Sequence, residues 1–169
     1  PRIARVIPFG TITAESDPSS IPHRTFTNPA MTAEFSWRKD WRRAEIPAAG
    51  GHGNARSVAL CHTPTACCGT ANGVTLLSEQ GVTRILDVQC EGLDVNLGSE
   101  QKFGMGFGLL PGAGPYLREF GWGGWGGSQA IINLDAQMSF SYVMNRMVGG
   151  DGDVRSQLLL AAAYDALMA

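Results

Sequence analysis

The chain reads as an α+β fold in which antiparallel strands pack against helices and a final helix closes on the sheet. Three observations predict this. Residues 139–147 alternate with a period of two, Phe140, Tyr142 and Met144 facing one way and Ser141, Val143 and Asn145 the other, which is strand patterning. Residues 128–134 have strand character as well, and Asp135-Ala136-Gln137 between the two runs reads as a turn. Residues 154–169 then carry Leu160, Tyr164, Leu167 and Met168 at helical spacing, a stripe expected to lie on the sheet.

Before that hairpin stands a glycine cluster, Gly121, Gly123, Gly124, Gly126 and Gly127, interrupted only by Trp122 and Trp125. A backbone so bare at the start of a strand permits close approach of a ligand or another segment. It reads as a site rather than a core. Upstream, residues 103–110 place Gly104, Gly106 and Gly108 on one face of an expected strand, which would accept a bulky neighbour such as a helix.

The first 32 residues, with Pro8, Pro18, Pro22 and Pro29, read as a short strand (3–12) and irregular loop. Residues 33–44 mix Phe35, Trp37 and Trp41 with Arg38, Lys39, Arg42 and Arg43; a surface helix tucking the two tryptophans inward is expected. Asn54 caps a helix from Ala55 that Pro64 ends or kinks, and Ser78 caps a short helix holding Val82, Ile85 and Leu86. Asp151 or Asp153 caps the last helix. The whole forms one partial domain, residues 1–100 being loop and helix and residues 101–169 strands and closing helix.

Composition narrows the function classes. The chain has 169 residues, enough for one domain with a real core, with 44% apolar residues and a net charge of −2. That balance argues against a nucleic-acid partner. No run of 18 apolar residues and no signal-like leader is present, so no membrane partner is expected. The four cysteines (Cys61, Cys67, Cys68, Cys90) fit reduced thiols in a cytoplasmic setting better than a disulfide scaffold. Cys61-His62 with Cys67-Cys68 lacks the pairing of zinc sites, so neither metal nor cofactor is expected. Pro1 in place of an initiator methionine reads as a cleaved or truncated chain.

Several motif matches fail on context. Ser99-Glu100-Gln101-Lys102 fits S-x-x-K, but that chemistry needs the serine at a helix N-terminus, and a polar loop is expected here. Gly121, Gly123 and Gly126 fit G-x-G-x-x-G, yet strand-like AIINL follows where a dinucleotide fingerprint opens a helix. His52, among glycines, is read as a turn residue. The residues alone supply no convincing nucleophile.

The ordered segments GHGNARSVA, GVTLLS, KFGMGFGLL, FGWGGWGGS, NLDAQMSFSYVMNRM and LLLAAAYDALM resemble the C-terminal half of the serine β-lactamase-like superfamily, nearest the carboxylesterases and transesterases related to class C β-lactamases. The resemblance implies a serine hydrolase or acyltransferase acting on esters or amides through an acyl-enzyme. Its Ser-x-x-Lys and tyrosine belong to an N-terminal segment that this chain does not contain. The family's Lys-Thr-Gly or His/Trp-x-Gly element matches Trp122-Gly123-Gly124. Trp125 would then give its backbone N–H to the oxyanion, with Gly126 beside it. Trp122 in place of lysine favours neutral esters, and Trp122 with the loop 111–115 would shape an apolar acyl pocket. The partners implied are the complementary segment and a small ester or amide. A non-catalytic binding protein that kept the sheet, or an inactive fragment, is the alternative.

Overall fold

The computed structural model describes residues 3–9, 17–149 and 153–169. Helix α1 (Ile21–Thr27) is followed by a 3-10 turn (Ala33–Trp37) and the short α2 (Lys39–Arg43). Helix α3 (Ala55–Ala66) opens on a reciprocal cap: Ser57 N–H donates to the Asn54 side chain at 2.9 Å, and Asn54 N–H donates to the Ser57 hydroxyl at 3.0 Å. Pro64 lies in its last turn, and the helix stops two residues later. A small hairpin, β1 (Thr70–Ala71) with β2 (Val74–Thr75), precedes α4 (Glu79–Thr83), which Ser78 caps.

The main sheet is a meander of six strands in sequence order, every neighbouring pair antiparallel. Its strands are β3 (Cys90–Asp94), β4 (Ser99–Phe103), β5 (Gly108–Leu110), β6 (Glu119–Gly123), β7 (Gln129–Asn133) and β8 (Met138–Tyr142). Helix α5 (Arg155–Met168) comes last. One sheet face buries Phe120, Ile132 and Leu134 against Ala66 of α3, Val82 and Ile85. Phe107 tilts onto Phe120 with ring centroids 5.0 Å apart, and the Ser139 hydroxyl donates to the Ala59 carbonyl of α3 at 2.9 Å.

On α5 the buried face is polar. Tyr164 donates to the buried Glu119 carboxylate and stacks on Tyr116, while Asn133 donates to the Tyr164 hydroxyl at 2.9 Å. Burial pushes the Tyr164 phenol above its ordinary pKa, and the Glu119 bond adds to it. Asn133 also accepts from the amides of Asp135 and Ala136 through its side-chain oxygen, which fixes the β7–β8 turn. Asp135 returns the link by accepting from the Leu117 and Arg118 amides and the Arg118 guanidinium, and these bonds hold its carboxyl below the usual value.

The α+β class and the closing helix stand as expected; several details do not. Strands occur before residue 100, and a boundary there falls inside β4, so the division into a helical part and a strand part is replaced by a continuous meander. Residues 103–110 form a hairpin rather than one strand, because Gly106 turns the chain in the left-handed region (φ +82°) and Phe103 pairs with Gly108. Residues 33–44 make two short helical pieces, with Trp37 donating to the Val6 carbonyl at 3.1 Å. Strand β8 stops at Tyr142, short of residue 147. Val154 is the cap residue of α5; Asp153 accepts from the Arg155 amide one position outside, and Asp151 lies outside the described residues. Leu167 and Met168 are exposed, so the stripe on α5 narrows to Ser156, Leu160, Ala163 and Tyr164. The first extended segment is described only for residues 3–9, where Ile7 bridges Arg146 in parallel. Among the described residues no helix is long and apolar enough to cross a membrane.

Tyr164→Phe strands Glu119 with one donor and should cost about 1–3 kcal/mol in urea unfolding, with an unchanged slope. Asp135 has a folded pKa depressed from 3.8, so its contribution is present above that value and fades as pH falls through the folded pKa. Asp135→Asn should therefore be less stable than wild type at neutral pH, and the gap should close in acid unfolding curves below about pH 4.

Candidate active site

The glycine cluster spans two elements. Trp122 and Gly123 end β6, and Gly124–Gly127 forms the turn into β7. The Gly127 amide donates to the Gly124 carbonyl at 3.1 Å, and the Gly124 amide donates to the Ser128 carbonyl at 2.8 Å. A turn closed between its first and fourth residues leaves the amides of its two central residues unused. Those residues are Trp125 and Gly126, and among the described residues neither amide has a hydrogen-bond acceptor. Gly126 has φ +96°, the value the third position of a type II turn demands, and only glycine meets it without strain.

The outer side of the turn is tied down. The Gly126 carbonyl accepts from the Val148 amide at 3.1 Å and from the Arg155 guanidinium at 3.3 Å. A Cβ on Gly126 would stand 2.6 Å from the Met147 side chain, and one on Gly127 2.2 Å from an Asp153 carboxylate oxygen. Two methionines and an ion pair therefore press on bare backbone.

A cavity of about 570 Å³ opens beside the turn. Gly124, Trp125 and Ser128 form one wall; Met144 and Met147 continue it, and Met31, Trp41 and residues 47–49 close the opposite side. Among the described residues no ionisable side chain lines it. Methionine fills irregular apolar space and adapts to what enters, so the cavity suits an uncharged, flexible group.

The structure separates the residues that the sequence grouped together. Trp125 and Gly124 border the cavity. Gly123 and Gly126 border a second hollow of about 340 Å³ beside Asp153, Ser156 and Gln157. Trp122 lines neither; its ring lies 5.0 Å from that of Phe103 and it is 46% exposed. Loop 111–115 is likewise no part of the cavity, since Gly114 meets Met168 and the adjoining Tyr116 stacks on Tyr164 at the far end of α5. Trp41, expected to pack inward, is instead a cavity wall. Its neighbours Pro47, Ala48 and Ala49 could have signalled this, because a run of small residues after an aromatic leaves space. Met144 and Met147 were legible only as strand residues.

The discarded motifs stay discarded. Ser99 and Lys102 lie on β4 rather than in a loop, three apart and so on opposite faces, with Lys102 paired to Glu91 at 3.2 Å. His52 is exposed and its Nδ1 bonds the Gly50 carbonyl at 2.8 Å. Among the described residues no group of His, Cys, Asp or Glu could hold a metal ion, and the four cysteines are free.

A meander with helices on its faces and unspent turn amides beside an apolar cavity defines the scaffold as α+β. Comparison makes it specific: a beta-lactamase profile matches residues 11–164, and the chain belongs to the beta-lactamase family of serine hydrolases. A solved family VIII carboxylesterase is 33% identical with a TM-score of 0.77, over 83% of this chain and 39% of that one. A penicillin-binding protein homolog from Caulobacter crescentus is 31% identical (TM-score 0.75; 95% and 44% covered). EstA from Arthrobacter nitroguajacolicus Rue61a shares the fold at 20% identity (TM-score 0.76; 93% and 44% covered). The chain thus spans less than half the length of these solved proteins. No curated protein sequence matches it.

Gly127→Ala combines a left-handed φ of +105° with the Asp153 clash. It should cost about 1–3 kcal/mol. In a double-mutant cycle with Asp153→Ala, measured by denaturation, the two costs should be less than additive.

Proposed function

We propose that the protein carrying this chain is a serine esterase acting on neutral esters with apolar acyl groups, and that this chain supplies one oxyanion donor and the acyl pocket. The observation that carries the reading is the Trp125 amide, unspent in its turn, in a residue that lines a cavity without charged side chains among the described residues. A serine oxygen from a complementary N-terminal segment, activated within a Ser-x-x-Lys, attacks the ester carbonyl carbon. The carbonyl oxygen becomes an oxyanion that accepts from Trp125 N–H and from the serine's own amide. Collapse expels the alcohol, which leaves with the serine's proton. Water or a second alcohol then attacks the acyl-enzyme and frees the serine. Transfer to an alcohol would make the protein a transesterase.

Substrate charge follows from the lining. Burying a carboxylate against Met31, Trp41, Met144 and Met147 without a cation would be costly, so neutral acyl groups are favoured. Trp122 stands where the family resemblance places lysine and offers no charge to a substrate acid. Trp122, Gly123 and Gly126 are assigned to the wall that faces the incoming segment. The carboxylesterase among the solved relatives supports an ester as the substrate class.

Docking of the complementary segment has two natural sites. Strand β8 is the last strand of the sheet, and on its open side among the described residues only the Ile7 bridge to Arg146 continues the ladder. Helix α5 turns Leu158 (64% exposed) and Leu159 (53%) outward, where a partner layer would cover them.

The experiment exploits the turn type. Proline fits the second position of a type II turn, so Trp125→Pro removes the N–H and keeps the backbone path. In the protein reunited with its nucleophile segment, Trp125→Pro should lower kcat on p-nitrophenyl esters by about 10²–10³-fold. Trp125→Ala, which keeps the N–H, should lose far less. Equal losses in the two variants would overturn the assignment, as would absence of ester turnover by the assembled wild type.

A further inference from the structure

We infer that Arg155 is a positioning residue for the Trp125 amide, tying the glycine turn to the start of the C-terminal helix so that the donor keeps its direction. The inference rests on the oxyanion reading above for its catalytic consequence, but its geometry stands independently. From the first turn of α5 the guanidinium reaches three acceptors on three segments. One terminal nitrogen donates to the Arg146 carbonyl at 2.9 Å. The other donates to the Gly126 carbonyl at 3.3 Å and to Asp153 at 2.7 Å, while Nε donates to the second Asp153 oxygen at 2.7 Å. The guanidinium carbon stands 5.8 Å from the centre of the Tyr142 ring.

An ordinary surface ion pair would be complete with Asp153 alone and would contribute little. Here the carboxylate orients the fork and the remaining N–H groups go to backbone carbonyls of two different chain segments. Asp153 itself is nearly buried, its side chain 9% exposed, and it lies against the bare Cα of Gly127. The pair therefore seats the Gly126–Gly127 peptide plane, one unit beyond the plane that immediately follows Trp125. Gly126 accepts on its carbonyl from Arg155 and Val148, both from outside the turn, which fixes the Gly126–Gly127 peptide plane; the Gly127 N–H of that plane holds the Gly124 carbonyl, whose own plane carries the Trp125 N–H. A rotation of these planes would turn the amide away from the developing oxyanion while leaving the apolar pocket intact. Lysine cannot replace the fork, because a single ammonium cannot span the two carbonyls and the carboxylate in this geometry.

A donor that matters in the transition state affects kcat more than substrate binding. In the complete protein, Arg155→Lys should lower kcat on a neutral p-nitrophenyl ester by roughly 10–100-fold with KM within about twofold. Added guanidinium at millimolar concentration should restore part of the rate to Arg155→Ala and none to Arg155→Lys. Hydrogen exchange provides the readout that needs no activity. In Arg155→Lys the Gly127 and Val148 amides should exchange about tenfold faster, while amides of β7 stay at wild-type rates. Unchanged kcat, a fall in kcat matched by a rise in KM, or wild-type exchange at Gly127 and Val148 would each overturn the inference. Should the wild type itself lack esterase activity, the oxyanion reading fails, and exchange alone then decides whether Arg155 ties the turn.

Discussion

Two peptide N–H groups left without an acceptor at the Gly124–Gly127 turn are the constraint on which the rest of this structure depends. Backbone donors in a folded protein are normally paired, because an unpaired one away from water costs a good fraction of a hydrogen bond or more. The neighbouring groups obey that rule: Gly124 and Gly127 donate within the hairpin, and the Gly126 carbonyl accepts twice. Within the turn, the central amides of Trp125 and Gly126 stay open. They stay open because the turn type spends the outer residues and leaves the inner ones. Glycine at positions 126 and 127 lets the backbone take that form while methionine and aspartate side chains crowd its outer side.

The fold concentrates rigidity around that turn. Strand β6 is central in the meander, held by β5 on one side and β7 on the other, with Phe120 fully buried toward α3. Glu119 at its start is tied through Tyr164 to α5, and Arg155 at the other end of α5 is tied to the turn. The helix thus braces β6 at its first residue and the turn just beyond its last. Neither link is a large apolar contact; both are hydrogen bonds from α5 to groups of the β6 segment. That explains why the outward face of α5 keeps leucines exposed: its hold on the sheet is polar, and its apolar surface is free for another layer.

Legibility in the sequence followed how local the signal was. Asn54 and Ser78 announced helix starts through side chains that bond their own neighbours, and both caps are where they were expected. The β7–β8 hairpin was legible from strict alternation, and the closing helix from Leu160 and Tyr164. Strands β3 and β4 were not, because CEGLD and SEQKF are edge-like, half-exposed and polar, without the apolar alternation that marks a buried strand. The hairpin at residues 103–108 was missed because alternating glycine and apolar residues imitate a strand when Gly106 in fact reverses the chain. Of the cavity wall, Trp125 and Gly124 are residues that the family likeness singles out. Met31, Trp41, Arg155 and Asp153 come from distant segments, and nothing in one sequence declares that they meet.

A division of labour between segments explains why so much of this chain is spent on fixing backbone. On the proposed reading, one oxyanion donor comes from this chain and the other from the segment that brings the serine. Two donors borne on one element keep their mutual angle through local geometry. Donors borne on two elements keep it only if each is immobile within its own part and the parts dock reproducibly. The demand falls on the turn, where the Trp125 N–H shares its peptide plane with the Gly124 carbonyl and is free to swing unless the Gly127 amide that holds that carbonyl is itself fixed. Ties to Val148 and Arg155 and the ion pair against Gly127 remove that freedom from behind the turn, and the methionines against Gly126 do so from the cavity wall. The cavity face, without charged side chains among the described residues, contributes shape more than orientation. Orientation has to come from behind the turn, and that is where the polar side chains are.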